Sequence, residues 1–241
     1  MRGLLGFVLL AGGLSACVPV TATGPVATPA PDVSANAADP GPLAPEQAAR
    51  NFVSVLERLE PVAEQVCIET RPRANCDFLI VVDDRPNQPP NAFQTLDRDG
   101  RPVVGFTLAL IADARNPDEV AFVVGHEAAH HIANHIPQTQ QTAVTGAMVA
   151  GVLASMTGAS PDQIRAAQQA GATFGARSYA KEFELEADAL GAEITLRAGY
   201  DPIRGSAFFD RLPDPGDQFL GTHPPNAQRK ETIRRVVAKF Q

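Results

Sequence analysis

The sequence predicts an α+β domain, mainly helical, with a small β-sheet beside one histidine-bearing helix. Three observations predict it. Long stretches repeat apolar residues every three or four positions, two short β-branched runs fall together between residues 77 and 110, and turn signals separate them. At 241 residues, with 44% apolar and 20% charged side chains, the chain has the length and balance of one domain with a substantial core.

The chain opens with "MRGLLGFVLLAGGLSAC", which has one positive charge at Arg2 and an apolar run from Leu4 to Leu14 that is too short to span a bilayer. Residues 1–16 read as a signal peptide. Its end, "LSAC", resembles the lipobox of bacterial lipoproteins, which implies lipidation of Cys17 as the first mature residue; the alternative is an ordinary signal peptide with Cys17 incidental. From Cys17 to Pro45 the chain holds seven of its 21 prolines, two charges and no apolar period, so it cannot bury enough surface to order itself. Residues 17–45 read as a tether, with a reach of at most about 90 Å when extended. Val18 and Pro19 follow Cys17 without an acidic residue, and by resemblance to lipoprotein sorting in Gram-negative bacteria this implies an envelope protein lipid-anchored in the outer membrane and facing the periplasm. Without Arg2, 19 basic and 27 acidic residues remain, a formal balance of 19 − 27 = −8. Such a charge makes nucleic acid a poor partner.

The folded domain is expected over residues 46–241. Pro45 to Ile68 places Phe52, Val55, Leu56 and Leu59 on one face and reads as a helix, with Pro61 positioned to kink or divide it. Cys67 and Cys76 stand nine positions apart, and in an oxidising compartment they are expected to pair. That bond contributes about 2.7 kcal/mol in the loop-entropy model. Two buried free thiols are the alternative. "DFLIVVDD" (residues 77–84) and "RPVVGFTLAL" (residues 101–110) are strand candidates that would form the sheet, the second running towards a helix.

"NPDEVAFVVGHEAAHHIANH" begins with Asn116 as a cap, Pro117 at the first helical position and Glu119 placed for a capping box. At about 100° per residue with His126 at zero, His130 falls at about 40°, Glu127 at about 100°, His131 at about 140° and His135 at about 180°. The pairs His126/His130 and His131/His135 share one spacing. Glu127 separates them, because only the first pair has a carboxylate beside it that could meet a metal-bound water, as in the H-E-x-x-H zinc motif. A catalytic zinc takes three protein ligands and leaves a position for water, so a further ligand must come from elsewhere.

The best source is "SYAKEFELEADALGAEITLRAGY", another helical pattern. Glu182, Glu186, Glu193 and Arg197 form a solvated face, and opposite them Glu184, Asp188, Gly191 and Thr195 run through the middle of an apolar stripe. A buried carboxylate needs a positive or donating partner. A metal held by His126 and His130 would meet Glu184 as third ligand, while Asp188 could accept a ring N–H of a ligating histidine. Buried arginines, Arg177 or Arg229, are the alternative partners.

"HEAAH" followed by "ELEAD" resembles the HtpX-like, CAAX-prenyl-protease-type family of zinc metallopeptidases. The likeness extends from "PNAF" through "GFTLALI" to "THPPNAQRKETI". It implies a zincin-like fold with the small sheet beside the active-site helix, one Zn2+ per subunit, and Glu184 as a ligand. By the same resemblance His223 in "THPP" approaches the site as an extra ligand or a stabiliser of the tetrahedral intermediate, with Arg229 six residues on as its companion; His135 is not a ligand. Tyr179 is a further candidate donor to the oxyanion. An extended substrate is expected to add to a sheet edge around "RPVVGFT". The segment Ala143 to Ala159, where other members span membranes, is expected as a helix packed over the site, with a membrane-touching segment as the alternative.

Two function classes follow. One is a zinc endopeptidase acting on unfolded or misassembled envelope proteins. The other is a zinc-bound assembly factor or chaperone with little proteolysis, working with outer-membrane assembly machinery.

Overall fold

The computed structural model describes residues 41–240. The signal peptide (1–16), Cys17 and most of the tether read over 17–45 lie outside the described residues.

Helix α1 (Pro45–Thr70) is continuous through Pro61. The proline lies on the exposed side, while Phe52, Val55 and Leu59 before it and Ala63 and Val66 after it are buried along one stripe. Burial on both sides outweighs the lost backbone hydrogen bond. At the end of α1, Cys67 meets Cys76 with their sulfurs at bonding distance and Cα atoms 5.7 Å apart.

The sheet has three strands, β1 (Leu79–Asp83), β2 (Ala92–Leu96) and β3 (Pro102–Thr107), in the order β1-β3-β2. β1 runs parallel to β3, and β2 runs antiparallel to it, with Ala92 opposite Phe106. Two strands are expected from the sequence; β2, "AFQTL", is the addition. It changes which strand is open. Every residue of β3 is buried between its neighbours, so the expected substrate edge around "RPVVGFT" is the centre of the sheet. β2 has the free edge on the side facing α3.

Thr107 ends β3 and caps the short helix α2 (Leu108–Asp113) by accepting from Leu110 N. Helix α3 (Pro117–Ile132) starts at Asn116, whose side chain accepts from Glu119 N at 3.0 Å. Among the described residues the reciprocal half of the expected capping box is absent. Glu119 instead accepts from Arg115 N and pairs with Arg211, a stronger claim on a buried carboxylate.

Helices α4 (His135–Met156) and α5 (Pro161–Arg177) form an antiparallel hairpin, and a complete Ser160/Gln163 capping box starts α5. The segment read as a helix over the site therefore pairs with α5. Val144, Met148, Val149, Val152, Leu153 and Met156 are all exposed. Among the described residues no helix is long and apolar enough to cross a membrane.

Helix α6 (Ala180–Arg197) packs across α3, followed by the short helix α7 (Pro202–Gly205), a 3-10 turn (Ser206–Arg211) and α8 (Asn226–Val237). The α3–α6 crossing depends on two glycines. A methyl group at Gly191 would lie 2.8 Å from His126 N, and one at Gly125 would lie 2.8 Å from Gly191 O. Glycine lets the backbones touch where the histidines and carboxylates must meet.

Candidate active site

His126 and His130, one turn apart on α3, point their Nε2 atoms at each other across 3.1 Å. Glu184 on α6 reaches the same point, with Oε2 at 3.7 Å from His126 Nε2 and Oε1 at 3.4 Å from His130 Nε2. One donor atom from each of the three lies within 4.8 Å of the others, an arrangement that could hold a metal ion. Two imidazole nitrogens and a carboxylate oxygen suit a divalent ion such as zinc. The three line a cavity of about 330 Å3 together with Glu127, His223 and Arg229. Pro90 to Ala92, leading into β2, form one wall, and Phe122, Phe208, Phe209 and Leu212 make another side apolar.

Asp188 is fully buried, and the two partners weighed for it from the sequence are both present. Its Oδ1 lies 3.0 Å from His126 Nδ1, and Arg229 donates to both carboxylate oxygens at 2.7 Å. Arg229 also approaches Glu184 Oε2 at 3.4 Å and stacks over Phe209. Arg177 is exposed, on the hairpin. Burial alone would raise Asp188; hydrogen bonds from His126 and Arg229 outweigh it and hold the carboxyl below its ordinary range. Burial likewise opposes ionisation of Glu184, but His130, His223 and the nearby positive charges keep it strongly depressed. Both carboxylates are therefore ionised at neutral pH. Glu127 differs. Burial pushes its carboxyl up, against the pull of His126 and His130, leaving it a better proton acceptor than an exposed glutamate.

His223 is half exposed, and its Nδ1 stands 3.1 Å from Glu184 Oε2. It contacts one member of the donor group from the solvent-exposed rim of the cavity. Tyr179 is not brought there. Its ring stacks near Phe183 and lines a groove between α4 and α5.

His131 packs edge-on against Phe78 and bonds Asn75 O at 2.7 Å. His135 departs from the helix wheel. α3 ends at Ile132, Asn134 takes the left-handed conformation at φ 62°, and the chain turns so that His135 opens α4. Its Nδ1 then lies 2.9 Å from His130 Nδ1, and its Nε2 lies 3.2 Å from Glu186 Oε2. The wheel places His135 opposite His126 because it continues one helix through Asn134. Glu186, read as part of a solvated face, is the residue that sequence reasoning missed here. Asn134, a residue tolerant of the left-handed region, was the available signal.

The peptidase family M48 model matches residues 51–237. Over 138 residues the chain is 29% identical to a mitochondrial metalloendopeptidase of Arabidopsis thaliana, covering 56% of this chain and 27% of that protein. It is 29% identical over 169 residues to a mitochondrial metalloendopeptidase of Saccharomyces cerevisiae, covering 66% and 46%. It is 30% identical over 142 residues to the beta-barrel assembly-enhancing protease of Yersinia pestis, covering 53% and 29%. The chain thus spans less than half the length of these curated relatives. With a family match running from α1 to the end of α8 and a three-donor site between α3 and α6, the chain belongs to peptidase family M48.

Proposed function

We propose that this protein is a zinc endopeptidase that hydrolyses peptide bonds of unfolded or misassembled envelope proteins. The observation that carries the reading is Glu127 in the same cavity as His126, His130 and Glu184, with its carboxyl raised by burial. A site that only stabilised the fold would need no such base. His126, His130 and Glu184 would hold the zinc, which supplies Lewis acidity to a carbonyl oxygen and lowers the pKa of water to about 7. Glu127 takes the proton of the attacking water and later delivers it to the leaving amine. Asp188 accepts from His126 Nδ1 and so keeps Nε2 free to ligate, while Arg229 compensates the buried carboxylate. His223, whose Nδ1 bonds Glu184, would donate towards the developing oxyanion or serve as an extra ligand in a latent state.

The free edge of β2 supports substrate binding as an added strand, which reads backbone more than side chains and so accepts varied unfolded sequences. The Yersinia pestis relative is named for enhancing beta-barrel assembly. That name and the lipobox-like Cys17 support an outer-membrane anchor, action beside the assembly machinery, and a disulfide between Cys67 and Cys76.

Cleavage of casein and of an unfolded outer-membrane protein by wild type and by Glu127→Gln, with zinc measured in both, tests the reading. A fall of about 10²- to 10⁴-fold with zinc retained is expected. Equal cleavage overturns the mechanism. A zinc-loaded wild type that cleaves nothing, even with His223→Ala, favours the assembly-factor alternative.

A further inference from the structure

Two polar side chains beside the donor group, His135 and Glu186, have no part in the chemistry above. His135 is buried, its ring stacked on Phe183 at 4.5 Å with planes 17° apart, and the turn at Asn134 holds it there. Glu186 stands on the outer side of α6 with its side chain 60% exposed, yet its carboxylate turns in to His135.

We propose that Glu186 and His135 are positioning residues that fix the tautomer and orientation of the metal ligand His130; this rests on the reading of His130 as a ligand. A hydrogen bond between His130 Nδ1 and His135 Nδ1, 2.9 Å apart, needs one proton between two nitrogens. If His135 donated it, the proton of neutral His130 would sit on Nε2, the nitrogen that faces His126 and Glu184. That nitrogen would be closed to a metal. A neutral His135 would at the same time turn an unprotonated Nε2 to Glu186 Oε2 at 3.2 Å, lone pair against lone pair. With the opposite polarity both conflicts vanish. His130 Nδ1–H donates to His135, His135 Nε2–H donates to Glu186, and His130 Nε2 is left with its lone pair towards the site. The surface carboxylate therefore selects the tautomer of a ligand two side chains away.

The other histidine has the same arrangement by a shorter route, since His126 Nδ1 meets the carboxylate of Asp188 directly. Each Nδ1 is thus tied to a carboxylate, and His135 bridges the distance for His130. Partners of this kind are typically worth 10- to 100-fold in metal affinity.

The test is zinc affinity of the full chain, by competition with a chromogenic chelator at fixed pH, with melting of the metal-free protein as the control for folding. Glu186→Ala is expected to weaken zinc about 10-fold and leave the metal-free melt near wild type. Glu186→Gln, which keeps an acceptor oxygen, should recover most of the loss. Glu182→Ala, which removes the same charge from an exposed position on the same helix, should have no effect. His135→Phe keeps the ring stacked on Phe183 and removes the acceptor, so it should weaken zinc at least as much as Glu186→Ala. Imidazole 15N spectra of the zinc-loaded wild type should show His130 protonated at Nδ1. Zinc affinity of Glu186→Ala and His135→Phe within twofold of wild type overturns the proposal, as does a proton found on His130 Nε2. His130→Ala distinguishes a failed relay from a failed ligand assignment. If it abolishes tight zinc binding while His135→Phe does not, only the relay fails; if it too leaves zinc unchanged, the ligand reading fails with it.

Discussion

The α3–α6 crossing and the α4–α5 hairpin are built by one device, glycine set against a neighbouring backbone, with opposite results. In the crossing, Gly125 and Gly191 bring α6 onto α3, and the residues around the contact are polar and buried: His126, Asp188, Thr195. In the hairpin, Gly146, Gly171 and Gly175 face the partner helix more closely still. The residues around them are apolar and exposed, and from His135 to Met156 the helix carries no Lys, Arg, Asp or Glu. Close approach is common to both, so it cannot be what makes a site. The crossing forms the candidate site because histidines and carboxylates lie beside the contact, with Asp188 and Glu184 paired to Arg229 and the histidines. Among the described residues, nothing covers the hairpin's apolar side chains.

The largest expected effect breaks the crossing's charge balance. Arg229→Ala leaves Asp188, with no exposed surface, facing only a histidine. Removing one partner of a buried pair costs about 3–5 kcal/mol because the other charge stays uncompensated. Chemical denaturation of metal-free protein measures it, and zinc loading should restore part of the loss. If Arg229→Ala melts like wild type, the crossing is no more dependent on its charges than the hairpin.

Next come paired glycine substitutions. Gly191→Ala forces a methyl into the His126 backbone, and Gly171→Ala forces one against the Gly146 carbonyl and Ala150 Cβ. Overpacking of this kind costs about 1–3 kcal/mol at either place. Only the first should also weaken zinc, because only there does the displaced helix carry donors. Equal zinc affinities in the two variants would dissolve the distinction between the helix pairs.

A smaller effect separates packing from hydrogen bonding within the crossing. The Thr195 hydroxyl, fully buried, donates to Gly191 O at 2.7 Å. Thr195→Val keeps the shape and removes the bond, so the expected loss is about 0.5–1.5 kcal/mol by thermal melting, with zinc binding unchanged. A loss in zinc affinity as large as that of Gly191→Ala would mean that the hydroxyl, and not the close approach, sets the position of α6.

Much of the crossing was legible in the sequence because its signals are local. His126, Glu127 and His130 follow helical spacing from an Asn116 cap, and Glu184 and Asp188 stand out as carboxylates inside an apolar stripe. What the sequence hid depends on single backbone angles or on strand order. Asn134 in the left-handed region splits what periodicity reads as one helix, and only the split brings His135 and Glu186 to His130. β2 has Gln94 and Thr95 in place of a clear alternation, and without β2 the sheet's centre is mistaken for its edge. The hairpin reads as an apolar helix in either setting, since a composition of Ala, Gly and Val does not say what covers it.

The smallest expected effect tests that last point. Met148→Ser with Leu153→Ser replaces two side chains that are 64% and 59% exposed in the isolated chain. If they face solvent in the working protein, stability should change by less than about 0.5 kcal/mol. The melting temperature should also be independent of protein concentration in both forms. If the hairpin face is covered by a second copy, the wild-type melt should rise with concentration and the double variant should lose that dependence, because association stabilises only the form that binds. In that case the two helix pairs differ in what buries them and no longer in whether they are buried, and the hairpin's glycines would be serving an interface as those of the crossing serve the site.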